Sequence, residues 1–191
     1  MSPLDAKKCD VDLTQAYRLL HPKHTVLLSC TDKKGTPNII TLAWCMPVSV
    51  KPPMLALSIR PTRHSYKMIE ETKEFVINIP TMSIIKETLF CGRRSGKQHD
   101  KFKETGLTPL PAKIVKPPII KECIAHLECK LHQKIPAGDH DILVGEIFAA
   151  YVNEGVFDKI YDLNKVKPIH HMGGDDFATL APKVIRPQLE S

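Results

Sequence analysis

The sequence has few aromatic residues and no long run of basic ones, and this argues against a nucleic-acid-binding protein. Aromatic residues make up 6% of the 191 residues, and the 27 Lys and Arg are scattered along the chain. Proteins that bind single strands stack bases on aromatic platforms along a basic groove. The formal net charge of +6 suits either an anionic cofactor or solvated surface lysines. We therefore expect no nucleic-acid partner.

The chain also lacks the apolar segments that membranes require. No stretch approaches the ~18–20 consecutive apolar residues of a membrane-spanning helix, and no apolar run follows the charged first ten residues, as a secretory signal would need. We expect no membrane partner and a cytoplasmic protein.

The cysteines form no recognisable metal or disulfide pattern. None of the six lies in a C-x-x-C pair, and their spacings match no zinc site. We therefore predict no metal site and interpret the cysteines as reduced thiols of the core. Cys91 is the predicted exception, because it opens a polar loop. The apolar strand-like runs contain Cys30, Cys45, Cys123 and Cys129.

Strand patterns outnumber helical ones. Residues 123–131 alternate in polarity with period two, which predicts a strand with one buried face. Most strands are joined as hairpins, so the predicted fold is mainly β, an antiparallel barrel with a few peripheral helices. Strands are predicted over 25–31, 37–46, 54–59, 74–79, 123–131 and 141–152. Helices are predicted over 11–20, 65–72 with Ser65 as N-cap, 83–90 with Ser83 as N-cap, and 100–105.

No dinucleotide-binding G-x-G-x-x-G motif or P-loop is present, so any nucleotide site must come from other residues. The strongest candidate surrounds Trp44, the single tryptophan, at the end of a predicted strand that also holds Asn38, Thr41 and Ala43. Backbone groups at a strand end can pair with the uracil-like edge of a flavin, and small side chains allow close approach. The alternative is an ordinary core tryptophan.

A short basic and hydroxyl-rich cluster follows the third predicted strand, over residues 60–65. If Ser65 caps a helix, the free N–H groups of that helix and the helix dipole form an anion site. Arg60 and Arg63 can add charge-assisted bonds to a phosphate. The alternative is a solvated, capped turn.

Two further features are less specific. The loop over 91–101 offers Ser95, Gly96 and Lys101, a combination that is weakly typical of phosphate binding. His140 follows a predicted Gly-Asp turn and is either a site residue or plain surface. His170 and His171 are interpreted as loop residues rather than metal ligands. No Ser/His/Asp or Cys/His triad can be assigned, so no catalytic residue is predicted.

From about residue 21 to residue 180, the sequence resembles the flavin reductase-like family, the FMN-binding split barrels that include the flavoredoxins. Five ordered motifs carry the resemblance. One departure is that Asp175-Asp176 precede Phe177, where many members carry an aromatic residue near the flavin. The motifs include Asn38-x-x-Thr41-x-Ala43-Trp44, Ser58-Ile59-x-x-x-Arg63-x-Ser65, Cys91-Gly92-Arg93-x-Ser95-Gly96-x-x-x-Asp100-Lys101-Phe102 and Gly138-Asp139-His140.

The resemblance implies one split-barrel domain over 1–191 and a homodimer with one FMN per subunit near the interface. It implies that the flavin is met by Asn38, Thr41, Ala43 and Trp44. It implies that the ribityl and phosphate groups are held by Ser58, Arg63, Ser65, Lys101 and the Ser95-Gly96 loop, with Arg60 nearby. His140 would approach the flavin or a nicotinamide.

Three functions remain open at this point. An NAD(P)H:flavin oxidoreductase would take hydride from a nicotinamide. A flavoredoxin-like carrier would exchange electrons with a redox protein such as a ferredoxin. A non-catalytic FMN-binding or storage module would do neither. The sequence does not separate them, because stacking of a nicotinamide on a flavin needs open space rather than a motif.

Overall fold

A computed structural model describes residues 6–187, so both ends of the predicted 1–191 domain lie outside the described part. The strands there are β1 Lys23–His24, β2 Val26–Thr31, β3 Pro37–Leu42, β4 Cys45–Ser49, β5 Met54–Ile59, β6 Glu74–Ile79, β7 Pro109–Leu110, β8 Ile119–Ile120, β9 Ala125–Ala137, β10 His140–Val152, β11 His170–Gly173 and β12 Asp176–Ala178. The α-helices are α1 His64–Thr72, α2 Ile85–Arg93 and α3 Lys101–Thr105, and 3-10 helices span Leu13–Leu20 and Met82–Ile84.

The main sheet confirms the predicted mainly β, antiparallel fold. Seven strands pair in the order β3-β2-β6-β9-β10-β5-β4, and every pairing is antiparallel. The two strands at the ends of this order, β3 and β4, follow one another directly in the chain. The Ser58 N–H donates to the Trp44 carbonyl at 2.9 Å. The sheet therefore curls until its two ends approach each other at a seam beside Trp44.

That closure explains why the single strand predicted over 37–46 is wrong. The chain bends at Ala43 and Trp44, after β3 has paired with β2 and before β4 pairs with β5. One straight strand cannot pair with both ends of a curled sheet. The bend places Trp44 at the seam rather than within a ladder of hydrogen bonds.

Both faces of β2 are covered, so all six of its residues are buried. Val26 and Leu28 point into the barrel core, where they join residues of β5, β6 and α1. Leu27 lies on the opposite face, in a second cluster with residues of α2 and α3 such as Cys91 and Phe102. The second cluster holds α2 and α3 against the outside of β2 and β3, next to the seam.

The predicted helix starts need correction. The predicted helix over 11–20 is a 3-10 helix over Leu13–Leu20 with no buried residue. Helix α1 begins at His64 with Arg63 as its N-cap, so Ser65 lies inside the first turn and is not the cap. Ser83 is not a cap either, because it lies in the 3-10 helix before α2, and its hydroxyl is bonded to Thr81 at 2.7 Å.

The cysteine prediction is wrong at two positions. Cys91 does not open a loop but lies in the last turn of α2 and is fully buried. Its inward position is hidden in the sequence by the polar residues that follow it. Cys9, in contrast, is exposed, whereas Cys30, Cys123 and Cys129 are buried as predicted.

The C-terminal segment is more ordered than its Gly- and Pro-rich sequence suggests. His170 and His171 lie in β11, which pairs with β1 on one side and β12 on the other. Their interpretation as loop residues is therefore wrong. This small sheet brings the C-terminal hairpin beside the seam. Within residues 6–187, no helix is long and apolar enough to cross a membrane.

Candidate functional site

Trp44 lies at the surface of the seam, so the alternative of an ordinary core tryptophan is wrong. It is 36% exposed. Its ring lies 4.9 Å from the His140 ring at a tilt of 34° and meets Tyr17 edge-on at 5.7 Å. The bend at residues 43–44 and the turn before β10 thus place two aromatic rings side by side at the mouth of the barrel.

A cleft of about 180 Å³ opens beside Trp44, which we call the central cleft. Residues from β3, β5, the start of α1 and the start of β10 meet there. Thr41 donates from its hydroxyl to the Thr88 carbonyl of α2 at 2.5 Å, which holds β3 against that helix. The predicted site residues that line the cleft are Thr41, Ala43, Trp44, Ser58, Arg60, Arg63 and His140.

Asp139 organises one wall of the central cleft. One of its carboxylate oxygens bonds Nδ1 of His140 at 2.6 Å, and the other pairs with Arg60 at 2.8 Å. The hydrogen bond from His140 is the main reason that the pKa of Asp139 lies below its usual value. The sequence predicts Asp139 only as a turn residue. Its bonds to His140 and Arg60, which both line the central cleft, identify it as part of the site.

Asn38 and Ser65 meet each other rather than the cleft. Asn38 donates through Nδ2 to Oγ of Ser65 at 2.8 Å, and both are buried. Gly96 lies against this pair, since a Cβ there would come within 2.2 Å of Oδ1 of Asn38. Neither Asn38 nor Ser65 lines the central cleft, and the flavin contact of Asn38 and the phosphate contact of Ser65 stay predictions.

Lys101 is also turned inward. Its side chain is buried, with 4% of the residue exposed, and Nζ donates to the carbonyls of Ile39 at 2.6 Å and Cys91 at 2.7 Å. Burial lowers its pKa below the usual lysine value. The ammonium group ties β3 to the end of α2 and does not line the central cleft, and the contact of Lys101 with phosphate stays a prediction.

The loop after α2 also lies outside the central cleft. Ser95 is exposed, and its hydroxyl accepts a hydrogen bond from the Lys97 N–H at 3.3 Å. Gly96 faces Asn38 and borders a separate surface pocket around Pro37 and Phe102. The structure therefore does not bring Ser95 and Gly96 together with the seven residues of the central cleft.

Two larger pockets flank the central cleft. An apolar cleft of about 320 Å³, on the side of β4, is lined by residues that include Tyr17, Leu20, Met46, Leu57 and Ile142. On the other side, a pocket of about 340 Å³ lies between the 3-10 helix Leu13–Leu20, α2 and the β11–β12 hairpin. We call it the hairpin pocket. Its lining includes Tyr17, Arg18, Thr25, Thr41, Arg63, Arg93, His171 and Phe177.

Arg93 fastens the β11–β12 hairpin to α2. Its Nη2 donates to the Gly174 carbonyl at 2.7 Å, and its guanidinium group is paired with the Asp175 carboxylate. His171 bonds the same carbonyl through Nε2 at 3.0 Å, and its ring lies 5.4 Å from Phe177. Sequence reasoning did not identify this wall, because Arg93 and Gly174 are 81 positions apart and the motif that contains Arg93 gives no sign of its partner.

The comparisons with known proteins agree with the fold. Residues 18–170 match the model of the flavin reductase like domain. An uncharacterized protein of Archaeoglobus fulgidus is 33% identical over 176 residues, covering 92% of this chain and 98% of the relative.

Two solved structures are similar over nearly the whole chain, and both are flavoredoxins. That of Desulfovibrio vulgaris (Miyazaki F) has a TM-score of 0.83 and 29% identity, covering 95% of this chain and 97% of its own. That of Methanosarcina acetivorans has a TM-score of 0.84 and 27% identity, covering 95% of both chains. These similarities indicate a flavin cofactor. The chain belongs to the flavin reductase-like family.

Proposed function

We propose that this chain binds FMN noncovalently and acts as a redox flavoprotein. The observation that carries the proposal is the convergence of seven predicted site residues on one cleft, although they come from three separate segments of the chain. A flat heterocycle needs an aromatic wall with open space beside it, and a phosphate needs a cation without a carboxylate partner. The cleft supplies both.

Trp44 is the aromatic wall, and Arg63 is the cation. Within residues 6–187, Arg63 makes no salt bridge, whereas Arg60 is paired with Asp139. Arg63 immediately precedes α1, so its guanidinium group and the free N–H groups of the helix start lie together and favour an anion. We therefore assign the phosphate to Arg63 and the start of α1.

Other residues shape the cleft around the flavin. Gly92 allows α2 to approach β3 closely, since a Cβ there would lie 3.2 Å from Cβ of Thr41. Ser58 closes the seam through its backbone bond to Trp44. Asp139 orients His140 and withdraws Arg60 from competition for the phosphate. When bound, the flavin supplies electron and hydride transfer.

The first prediction concerns the cofactor itself. The purified protein should show flavin absorption bands, or acquire them when FMN is added, and calorimetry should give one FMN per chain. The reason is that the central cleft combines an exposed tryptophan with an uncompensated guanidinium group. A colourless protein that gives no heat with FMN would contradict the proposed function.

The two flavoredoxins above support the electron-carrier role, and the match to the flavin reductase like domain supports the oxidoreductase role. Anaerobic mixing of the FMN-loaded protein with NADH, NADPH or reduced ferredoxin separates the alternatives. Bleaching by ferredoxin alone would support the carrier, and bleaching by a nicotinamide would support the oxidoreductase. A flavin that none of them reduces would favour the storage module.

We also propose a homodimer, because apolar side chains are exposed around β4. Met46 is 59% exposed and Val50 is 93% exposed. Leu20, from the 3-10 helix, borders the same apolar cleft as Met46. Large exposed apolar patches are rare on monomers, and β4 is an end strand of the sheet that a second copy can cover.

Light scattering tests this second prediction. The mass should be about twice the chain mass of 21.5 kDa, since a second copy would cover the exposed apolar side chains around β4. Replacing Val48 and Val50 together with glutamate should give monomers, whereas Lys51→Glu changes charge at the neighbouring position and should leave the dimer intact. A monomeric wild type with FMN fully bound would show that one chain completes the site.

A further inference from the structure

Four histidines, His21, His24, His170 and His171, meet where the β11–β12 hairpin is attached to β1, and we call them the histidine clasp. His24 lies directly opposite His170 in the pairing of the two strands, with ring centroids 5.6 Å apart. The ring of His21 lies 5.3 Å from that of His171. Because His170 and His171 are consecutive in β11, their side chains point to opposite faces of the strand. Imidazole contacts therefore hold β11 on both faces.

The geometry of the clasp favours uncharged imidazole rings. Nδ1 of His21 lies 3.2 Å from the Arg18 carbonyl, which only accepts hydrogen bonds, so the proton of the neutral ring is on Nδ1. Nε2 of His21 and Nδ1 of His170 are buried and have no hydrogen-bond partner in the described part of the chain. A protonated ring carries donors on both nitrogens, and a buried donor without an acceptor is costly. Protonation of His21 would create such a donor at Nε2.

The surroundings of the clasp also disfavour positive charge. Within residues 6–187, no carboxylate pairs with any of its four rings. Asp175, in the hairpin turn, is paired with Arg93 of α2, and Asp176 is exposed on β12. A charged imidazole would therefore face more cations than free carboxylates. The other charged or titratable groups of the elements at the clasp are Arg18 of the 3-10 helix, Lys23 of β1, Lys167 before β11, and Arg60, Arg63 and His140, which line the central cleft with His171.

His24 sets the direction of the pH effect. Burial, and to a smaller extent the charge of His170, lowers the pKa of His24 from the usual 6.5 to about 4. In an opened hairpin the ring would be in water, where an imidazole has a pKa of about 6.5. Because the native pKa is the lower of the two, the contribution of His24 to the attachment is fully present above pH 6.5. It decreases as the pH falls and is lost at about pH 4.

We propose that the histidine clasp is a pH switch, which becomes charged in mild acid and releases the β11–β12 hairpin from β1 while the seven-stranded sheet stays folded. The two parts can separate, because β1, β11 and β12 form a sheet of their own and β1 pairs with β11 over only two residues. The hairpin is also one wall of the hairpin pocket, next to the central cleft. Under the proposed function, on which this consequence alone rests, release of the hairpin would expose the flavin and speed its loss.

Hydrogen exchange of the flavin-free protein at pH 7 and pH 5 tests this third prediction. Protection factors correct for the pH dependence of exchange itself. For the amides of β11 and β12 they should fall by about 10–30-fold at pH 5, as a single histidine with these two pKa values requires. The amides of β6, in the interior of the main sheet, should keep their protection.

Two variants remove the charge of His24 in different ways. His24→Gln cannot be protonated and keeps a polar side chain, whereas His24→Phe keeps a ring of similar size. At least one of them should retain the attached hairpin at pH 7, and in that variant the fall in protection at pH 5 should be less than about threefold. His132→Gln is the matched control, because it removes an exposed histidine of β9, and it should behave like the wild type.

Three results would overturn the switch. These are equal protection of β11 and β12 at both pH values, a fall that β6 shares and that therefore reports global unfolding, and a fall that persists in both His24 variants or a hairpin that is already released in both at pH 7. Because these measurements use no flavin, a protein that fails to bind FMN contradicts the proposed function and leaves this test intact. In the FMN-loaded protein, flavin fluorescence should report faster release at pH 5 than at pH 7, and equal rates would overturn the link between the hairpin and the flavin.

Discussion

Replacing Glu128 with glutamine is expected to lower the free energy of unfolding by about 2–4 kcal/mol at pH 7. Glu128 is 0% exposed on β9. Its carboxylate accepts hydrogen bonds from the N–H groups of Lys113, Ile114 and Val115 at 2.7, 2.6 and 3.1 Å, and from the Tyr151 hydroxyl at 2.9 Å. A glutamine amide would turn a donor toward some of these donors and leave them unpaired.

The effect should depend on pH. Burial by itself raises the pKa of Glu128. The hydrogen bonds from three backbone N–H groups and from Tyr151 lower the pKa by more than burial raises it, so the pKa lies below the usual value of 4.5. A depressed native pKa contributes stability that is fully present above pH 4.5 and is lost as the pH falls through the native value. The difference between wild type and Glu128→Gln should therefore be largest near pH 6–7 and shrink below about pH 4.

Urea unfolding of both proteins at several pH values measures this difference. Glu122→Gln is the matched control, because Glu122 is half-buried and accepts a single backbone hydrogen bond, from Thr108 at 3.0 Å. Its cost should be only about 0.5–1.5 kcal/mol. A Glu128→Gln cost no larger than that of Glu122→Gln, or one independent of pH, would rule out the carboxylate as the anchor of residues 113–115.

The strand patterns in the sequence were sufficient for the antiparallel fold but not for how the sheet is covered. Residues 123–131 alternate in polarity, and the predicted strand there is largely β9. The prediction of one buried face was wrong, because His126 and Glu128 on the polar face are also buried. The segment around residues 113–120 lies over that face. This covering segment precedes the strand in the chain by only a few residues, yet it leaves no mark on the alternation of the strand itself.

The site was predictable where local residue types carry the chemistry. Trp44, Arg63 and His140 were identified from motifs, and they do line one cleft. Arg18 and Arg93 were missed, because the hairpin pocket is assembled by the packing of β11–β12 beside α2. Closure of the sheet, which produces the bend at Trp44, is likewise a property of the whole barrel rather than of any window of sequence.

Lys101 is a residue that the motif identifies but whose side chain does not line the central cleft. A lysine in a Gly- and Ser-containing loop has the chemistry for phosphate, yet its ammonium group is satisfied by two carbonyl groups inside the protein. Lys101 therefore stabilises the packing of α3 against β3. The sequence alone does not distinguish a lysine that binds a ligand from one that binds the backbone.

Arg63→Gln is expected to weaken FMN binding by about 10–100-fold while leaving riboflavin binding nearly unchanged, because only the phosphate contact is removed. Arg63 lines the central cleft beside the start of α1 and makes no salt bridge within residues 6–187. Parallel titrations of each variant with FMN and with riboflavin measure the phosphate contribution as the ratio of the two affinities. Arg94→Gln, an exposed neighbour of α2 that lines neither cleft, is the charge-matched control.

Lys101→Met should behave differently from Arg63→Gln, and the contrast decides between the sequence motif and the observed geometry. Loss of the ammonium group leaves the Ile39 and Cys91 carbonyls without this donor, so the free energy of unfolding should fall by about 1–3 kcal/mol. Lys101→Met should then lower the affinities for FMN and riboflavin by the same factor, or lower neither. The preference for FMN over riboflavin should therefore persist. If Lys101→Met instead abolishes that preference and Arg63→Gln does not, the phosphate lies on Lys101, and α3 must rearrange when the flavin binds.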